Sequence, residues 1–187
     1  KFVDSLKAPG EIEMEDPPPT IFNISAVNIE EYGNRDPIAY AIPPGILREQ
    51  DVASANLRSL NEQALSLQVC NLEDGDSRAA YRNVNFDLRQ YKRMRMFAHA
   101  EALGIESEVK DGDLTMFVRL GSDFGDNYYE YEMPMSVTSW YNSDPAEIWP
   151  EANNFEILLK DLQNLKANRP ASVPTNQEHS SVSGNVR

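Results

Sequence analysis

The sequence predicts a mainly β domain, an antiparallel β-sandwich of jelly-roll character, with an extended N-terminal arm and a short C-terminal amphipathic helix. Three observations predict it. In residues 114–120, Leu114, Met116, Val118 and Leu120 alternate with Thr115, Phe117 and Arg119. In residues 128–135, Tyr129, Tyr131, Met133 and Met135 alternate with Tyr128, Glu130, Glu132 and Pro134. Alternation with period two turns one row of side chains to a core and the other outward. Between these runs, GSDFGDN supplies two glycines with Asp123, Asp126 and Asn127, residues that tolerate turn backbone angles. Further short alternating runs are separated by turn-rich segments, the spacing of a sandwich or barrel. A lone hairpin is barely stable, so these other strands must pack against it.

In chain order, residues 1–20 read as an arm, because EIEMEDPPPT is acidic and Pro17, Pro18 and Pro19 favour extended polyproline geometry. The sandwich domain spans 21–168. It opens with a strand at 21–29, IFNISAVNI, rich in β-branched residues. Residues 33–50 form an ordered connector: Gly33, Pro37, Pro43, Pro44 and Gly45 forbid regular structure, while Ile38, Tyr40, Ile42, Ile46 and Leu47 hold it to a surface. Residues 51–61 are helix-compatible, and ALSLQV at 64–69 is the next strand, with Leu65, Leu67 and Val69 on one face. After the turn EDGDS, Val84, Phe86 and Leu88 predict a strand, and RMRMFAHA at 93–100 another. KDGD at 110–113 turns into the hairpin. Asn153 and Glu156 have capping-box spacing, and Phe155, Leu158, Leu159, Leu162 and Leu165 follow at helical spacing, predicting a helix. A strand at 155–159 running into a helix is the alternative. Residues 169–187 are polar and form a flexible tail.

The 187 residues suffice for one domain with a real core, and 41% are hydrophobic. A mean hydropathy of -0.54 fits a chain with much loop and arm. The formal charge of -13 argues against nucleic acid, which needs clustered Lys and Arg, and against docking on an anionic membrane. No run of eighteen apolar residues exists, so no helix of this segment is expected to span a membrane. The start at Lys1 reads as that of an excised or processed chain. One cysteine, Cys70, excludes an internal disulfide and a cysteine-rich metal site, and its apolar-alternating run predicts an inert thiol.

Residues that could carry chemistry are few. Of two histidines, His179 lies in the tail and His99 in a strand beside Glu101, where packing or hydrogen bonding accounts for it more simply than catalysis. No Gly-x-Ser-x-Gly elbow, Walker loop, Rossmann glycine run or His-Glu-x-x-His helix occurs. No catalytic residue, cofactor or metal is therefore assigned, and the chain is expected not to be an enzyme. Asp74 and Asp76, Asp111 and Asp113, and Asp123 and Asp126 resemble fragments of calcium loops but lack the full ligand spacing, so turn chemistry explains them first. Arg89, Lys92, Arg93 and Arg95 stand out in an acidic chain. Cross-strand pairing with Glu130 and Glu132 is the simpler reading, and docking a partner's carboxylate the sharper one. Arg93, Arg95, Tyr128, Trp140, Tyr141 and Trp149 make up the candidate interaction surface. The aromatic members also support an alternative, a carbohydrate-binding sandwich module that stacks sugar rings. Against it stands the plainer view that Tyr129 and Tyr131 are core and the tryptophans cover a sheet edge. A glycoside hydrolase fragment with paired carboxylates is weaker still, since an acidic chain always offers some pair.

Four long segments in order carry a resemblance: GNRDPIAYAIPPGILRE (33–49), NVNFDLRQYKRMRMFAHAEA (83–102), DGDLTMFVRLGSDFGDNYYEYEMPMSV (111–137) and IWPEANNFEILLKDLQNLKANR (148–169). They resemble the SprA/Sov family, very large cell-surface proteins of gliding bacteria that form the outer-membrane translocon of the type IX secretion system. The resemblance implies a non-enzymatic module of a protein-export machine in the cell envelope, at the outer membrane. Its partners would be the rest of the translocon chain and other secretion-system proteins. The strands here are too few and too interrupted to make a transmembrane barrel, so the segment is not expected to conduct substrate itself.

Overall fold

The computed structural model describes residues 18–180 except 52, 54–58, 86, 124, 126, 175 and 176, and gives no side chain for Arg89. Most of the expected arm, the helix-compatible stretch at 51–61 and the end of the tail thus lie outside the described residues. The elements run β1 (Ile21–Asn28), α1 (Ile29–Tyr32), β2 (Gln63–Cys70), β3 (Arg93–Met96), β4 (Thr115–Gly121), β5 (Tyr128–Pro134), α2 (Pro145–Ile148), β6 (Phe155–Leu158) and α3 (Leu159–Ala167). The chain is mainly strand with a few short helices. Among the described residues, the strands make three two-stranded ribbons, β1–β2, β3–β6 and β4–β5, and no closed barrel.

Contacts divide the chain into two units: Lys1–Ser25 with Leu65–Arg82, and Ala26–Ala64 with Asn83–Arg187. In the smaller unit, the Thr20 hydroxyl donates to the Asn71 carbonyl at 2.8 Å, closing the end of the β1–β2 ribbon. Ile24, Leu65 and Leu67 are exposed there although the sequence alternates as a half-buried strand should.

The larger unit holds both apolar cores. Antiparallel pairing of β4 with β5 sets Met116 opposite Met133, Val118 opposite Tyr131 and Leu120 opposite Tyr129, the row the alternation assigns inward. Those side chains pack on a core of Ala98, Ala100, Met133, Met135, Phe155, Ile157, Leu159 and Leu162. Phe155 is 1% exposed and meets the Tyr131 ring edge-on at 4.7 Å between centroids. In the second core, Ile38, Ile148 and Trp149 gather Tyr40, Ala41, Phe97 and Trp140 around them. This is where the connector is held. Its Asp36–Pro37 peptide is cis, Ile38 is 1% exposed, and the Tyr40 N–H bonds the Tyr32 carbonyl.

Capping explains where the short helices begin. Asn28 Oδ1 accepts from the Glu31 N–H and its Nδ2 donates to the Glu31 carboxylate, both at 2.9 Å, a side-chain N-cap. Asp144 accepts from the Ala146 N–H ahead of Pro145, which suits a first helical position.

Three elements depart from the sequence reading, the first being the strand expected at 93–100, which ends at Met96 and leaves His99 outside it. Among the described residues of 84–88 no strand forms: residues 83–85 and 87 are coil, Leu88–Gln90 is a 3-10 turn, and Phe86 lies outside the described residues. Asn83, Asn85 and Asp87 favour local turns over a ladder, and among these residues only Leu88 reaches the core. The helix expected from Asn153 onward starts later, at Leu159, after strand β6. Phe155 and Ile157 are buried while Glu156 and Leu158 are exposed, a period of two that pairing with β3 rewards. The alternative reading, a strand running into a helix, describes this segment.

Candidate functional site

A set of interlinked polar side chains inside the larger unit is built around His99. The extended segment after β3 carries His99 to α2, where Nδ1 lies 2.7 Å from the Ile148 carbonyl, which accepts the bond. On its other side, Nε2 lies 3.2 Å from the Glu101 carboxylate. Thr138, 5% exposed, places its hydroxyl 3.2 Å from the same Nδ1. Arg35 of the connector completes the row: Nη2 donates to Glu101 at 2.5 Å and Nε donates to the Ile38 carbonyl at 2.8 Å. Burial pushes the Glu101 carboxyl up, but the hydrogen bonds and charges of His99 and Arg35 together outweigh it and hold it below its usual value. Every member is thus bonded to backbone or to another member, and the row ties three chain segments together. Nearby, burial pushes the Tyr40 phenol up to about 12, with the Glu62 carboxylate adding to the effect.

The tryptophans are anchors of the same region. Trp149 is 8% exposed, donates from Nε1 to the Ala41 carbonyl at 2.7 Å, and meets Tyr40 and Phe97 edge-on. Trp140 donates from Nε1 to the Ala102 carbonyl at 3.2 Å. Tyr141, beside it, is 74% exposed with φ of 62°, and its N–H bonds the Pro37 carbonyl. A stacked sugar needs a free ring face, which Tyr141 offers and Trp149 does not.

Arg93 and Arg95 lie on the outward face of the β3–β6 ribbon, and Glu156 lies between them. Arg93 Nη1 donates to one carboxylate oxygen at 3.0 Å, and Arg95 Nε reaches the other at 3.2 Å. For Arg93 and Arg95 this corrects the expected pairing with Glu130 and Glu132. Glu130 instead accepts from Arg119 Nη2 at 2.6 Å and Nε at 2.9 Å, because the β4–β5 register sets Arg119 directly opposite. Tyr128 lies under the same Arg119, whose guanidinium carbon stands 3.9 Å from the ring centre, a cation–π contact. The six candidate interaction residues therefore fall into separate places: Arg93 and Arg95 on one ribbon, Tyr128 on another, and Trp140, Tyr141 and Trp149 about the second core. Glu156, which organises the arginine pair, reads in the sequence as a capping residue rather than as their partner. The alternation of Phe155 and Ile157 was the signal that could have placed it on a strand.

Three of the turn aspartates accept from backbone N–H groups, and Asp76 pairs with Arg78 at 3.3 Å. Asp113 accepts from the Lys110 N–H, Asp111 from the Val137 N–H, and Asp123 from the Gly125 and Asn127 N–H groups. A shallow cavity of about 420 Å³ opens beside Asp111, floored by Tyr131, Met133 and Met135.

Comparison with known proteins decides the family. Residues 6–185 match the protein-family model described as a motility related/secretion protein, nearly the whole chain. The chain belongs to the SprA/Sov family. No curated protein matches it. As a member of that family it is a motility- or secretion-related protein, and none of its described helices is long and apolar enough to cross a membrane. The four segments that carry the resemblance in the sequence supply the connector, β3, the β4–β5 hairpin and the β6–α3 unit, so they include much of both cores.

Proposed function

We propose that this chain is a non-enzymatic module of an outer-membrane protein-export translocon, serving type IX secretion and gliding motility as a structural and protein-interaction domain. The observation that carries the reading is the family match over residues 6–185. The geometry supports it. His99, Glu101 and Arg35 are spent on joining chain segments, an arrangement suited to holding a scaffold. The exposed aliphatic residues Ile24, Leu65 and Leu67 are of the kind that mark association surfaces. Its partners are the rest of the translocon chain and other secretion-system proteins, at the outer membrane of the cell envelope. On this reading the antiparallel ribbons of the larger unit belong to a jelly-roll-like sandwich.

The test is an in-frame deletion of the segment from the parent protein, with secreted cargo and gliding measured alongside the abundance of the truncated chain. Loss of both at normal abundance is the expected result. Normal secretion and gliding without the segment would refute the proposal.

A further inference from the structure

The β3–β6 ribbon has a property that sequence charge alone conceals. The chain carries a formal charge of -13, yet Lys92, Arg93, Arg95 and Lys160 gather on this ribbon and the start of α3. The Leu159 N–H bonds the Lys92 carbonyl at 3.1 Å, which brings Lys160 to the same end as Lys92. Glu156 answers two of these cations and Asp161 lies among them, so positive charge is in excess. Arg93 and Arg95 are each 56% exposed at the side chain and use only part of their donor forks on Glu156.

The backbone adds a second feature. In an antiparallel ladder, alternate residues aim N–H and C=O at the partner strand and the others aim them away. Since Lys92 bonds Leu159 across the ladder, Arg93 and Arg95 aim theirs at the outer edge of β3. No described residue bonds them there. An open edge is a template for another strand, and a strand added beside β3 sets its alternate side chains next to Arg93 and Arg95.

We infer that the β3 edge receives an extended acidic segment of a partner by strand addition, with carboxylates at alternate positions seated on Arg93 and Arg95. Main-chain bonds supply the adhesion, and the arginine pair supplies register and selects for negative charge. This rests on the reading of the chain as an interaction module and names where and with what chemistry it binds.

The experiment titrates the isotope-labelled chain with a short capped peptide alternating valine and glutamate, and with its lysine counterpart, following amide resonances. The glutamate peptide moves and protects the Arg93 and Arg95 amides, the lysine peptide does not, and raising salt toward about 0.5 M weakens binding roughly tenfold. A swapped chain, Arg93→Glu with Arg95→Glu and Glu156→Arg, keeps the internal pairs with their signs exchanged and comes to prefer the lysine peptide. Should that chain fail to fold, Arg93→Gln with Arg95→Gln gives the readout, a loss of about tenfold in affinity for the glutamate peptide. Equal response to both peptides, binding centred elsewhere, or unchanged affinity in the substituted chains overturns the inference. So does capture by phosphatidylglycerol vesicles in place of the peptide. The deletion test stands apart: if deletion abolishes secretion while the swapped, folded parent protein secretes normally, the interaction module survives and this docking edge does not.

Discussion

Asn153 is a residue whose value the sequence understates. It is 0% exposed, and its amide accepts from the Ser136 N–H and donates to the Ser136 carbonyl, both at 2.8 Å, joining the turn after β5 to the turn before β6. Removing a side chain that satisfies buried backbone groups costs about 1–3 kcal/mol. Asn153→Ala should lower stability by that amount in denaturant melts, and an unchanged midpoint would deny the clamp. Glu101 gives a prediction in pH. Its folded carboxyl titrates below the ordinary 4.5, so the stability it contributes is full above that value and is lost as pH falls through the lowered one. Glu101→Gln should flatten the acid limb of the stability curve below pH 4.5 relative to the native chain. Tyr40 acts at the opposite end. Its phenol is raised from 10.0 to about 12, so its contribution is full below pH 10.0 and drains away as pH climbs through about 12. Tyr40→Phe should remove that alkaline loss, which fluorescence-detected unfolding across this range can measure.

At the scale of elements, the β4–β5 hairpin was the most legible feature of the sequence and β6 the least. Both hairpin strands alternate over seven residues with a turn between, so periodicity, turn chemistry and pairing agree. In the segment from Asn153, two periods compete. Phe155 and Ile157 fit a strand, Phe155, Leu158, Leu159 and Leu162 fit a helix, and a capping pattern tips the local reading towards helix. Only the distant partner β3 decides for the strand, and no local pattern contains it. Strand-like spacing at Val84 and Leu88 failed for the converse reason: alternation was present, but no described strand pairs with this segment. The hairpin turn also has a steric requirement. A Cβ on Gly121 would fall on the Asn127 carbonyl and within 2.6 Å of Tyr128 Cα, backbone that cannot move aside without breaking register. Gly121→Ala should therefore destabilise the chain by about 1–3 kcal/mol. By contrast, the Arg93–Glu156–Arg95 bridge is largely exposed, and Glu156→Ala should change stability by less than about 1 kcal/mol. A larger loss would mean that the bridge supports the fold rather than a binding face.

For the whole molecule, the total charge of -13 was readable at once, but where the opposite charge collects was not, because β3 and β6 lie sixty residues apart in sequence and meet only in the fold (Arg95 opposite Glu156). The candidate residues were likewise a mixture. Trp149 and Trp140 proved to be anchors for a Pro-rich connector, Tyr128 a support for Arg119, and the arginines a surface pair. Aromatic and charged residue types signal contact without saying whether the contact is internal. Taken together, Arg35, His99, Glu101, Thr138 and Asn153 are occupied in joining segments, which is the physical content of the claim that this module acts by shape and binding. The measurement that tests this most directly is cargo secretion by cells whose parent protein carries His99→Gln with Thr138→Val. If the polar row serves only the fold, secretion stays at the native level whenever the folded protein keeps its native abundance. Loss of secretion by a folded, fully abundant protein would place chemistry at His99 and contradict the account.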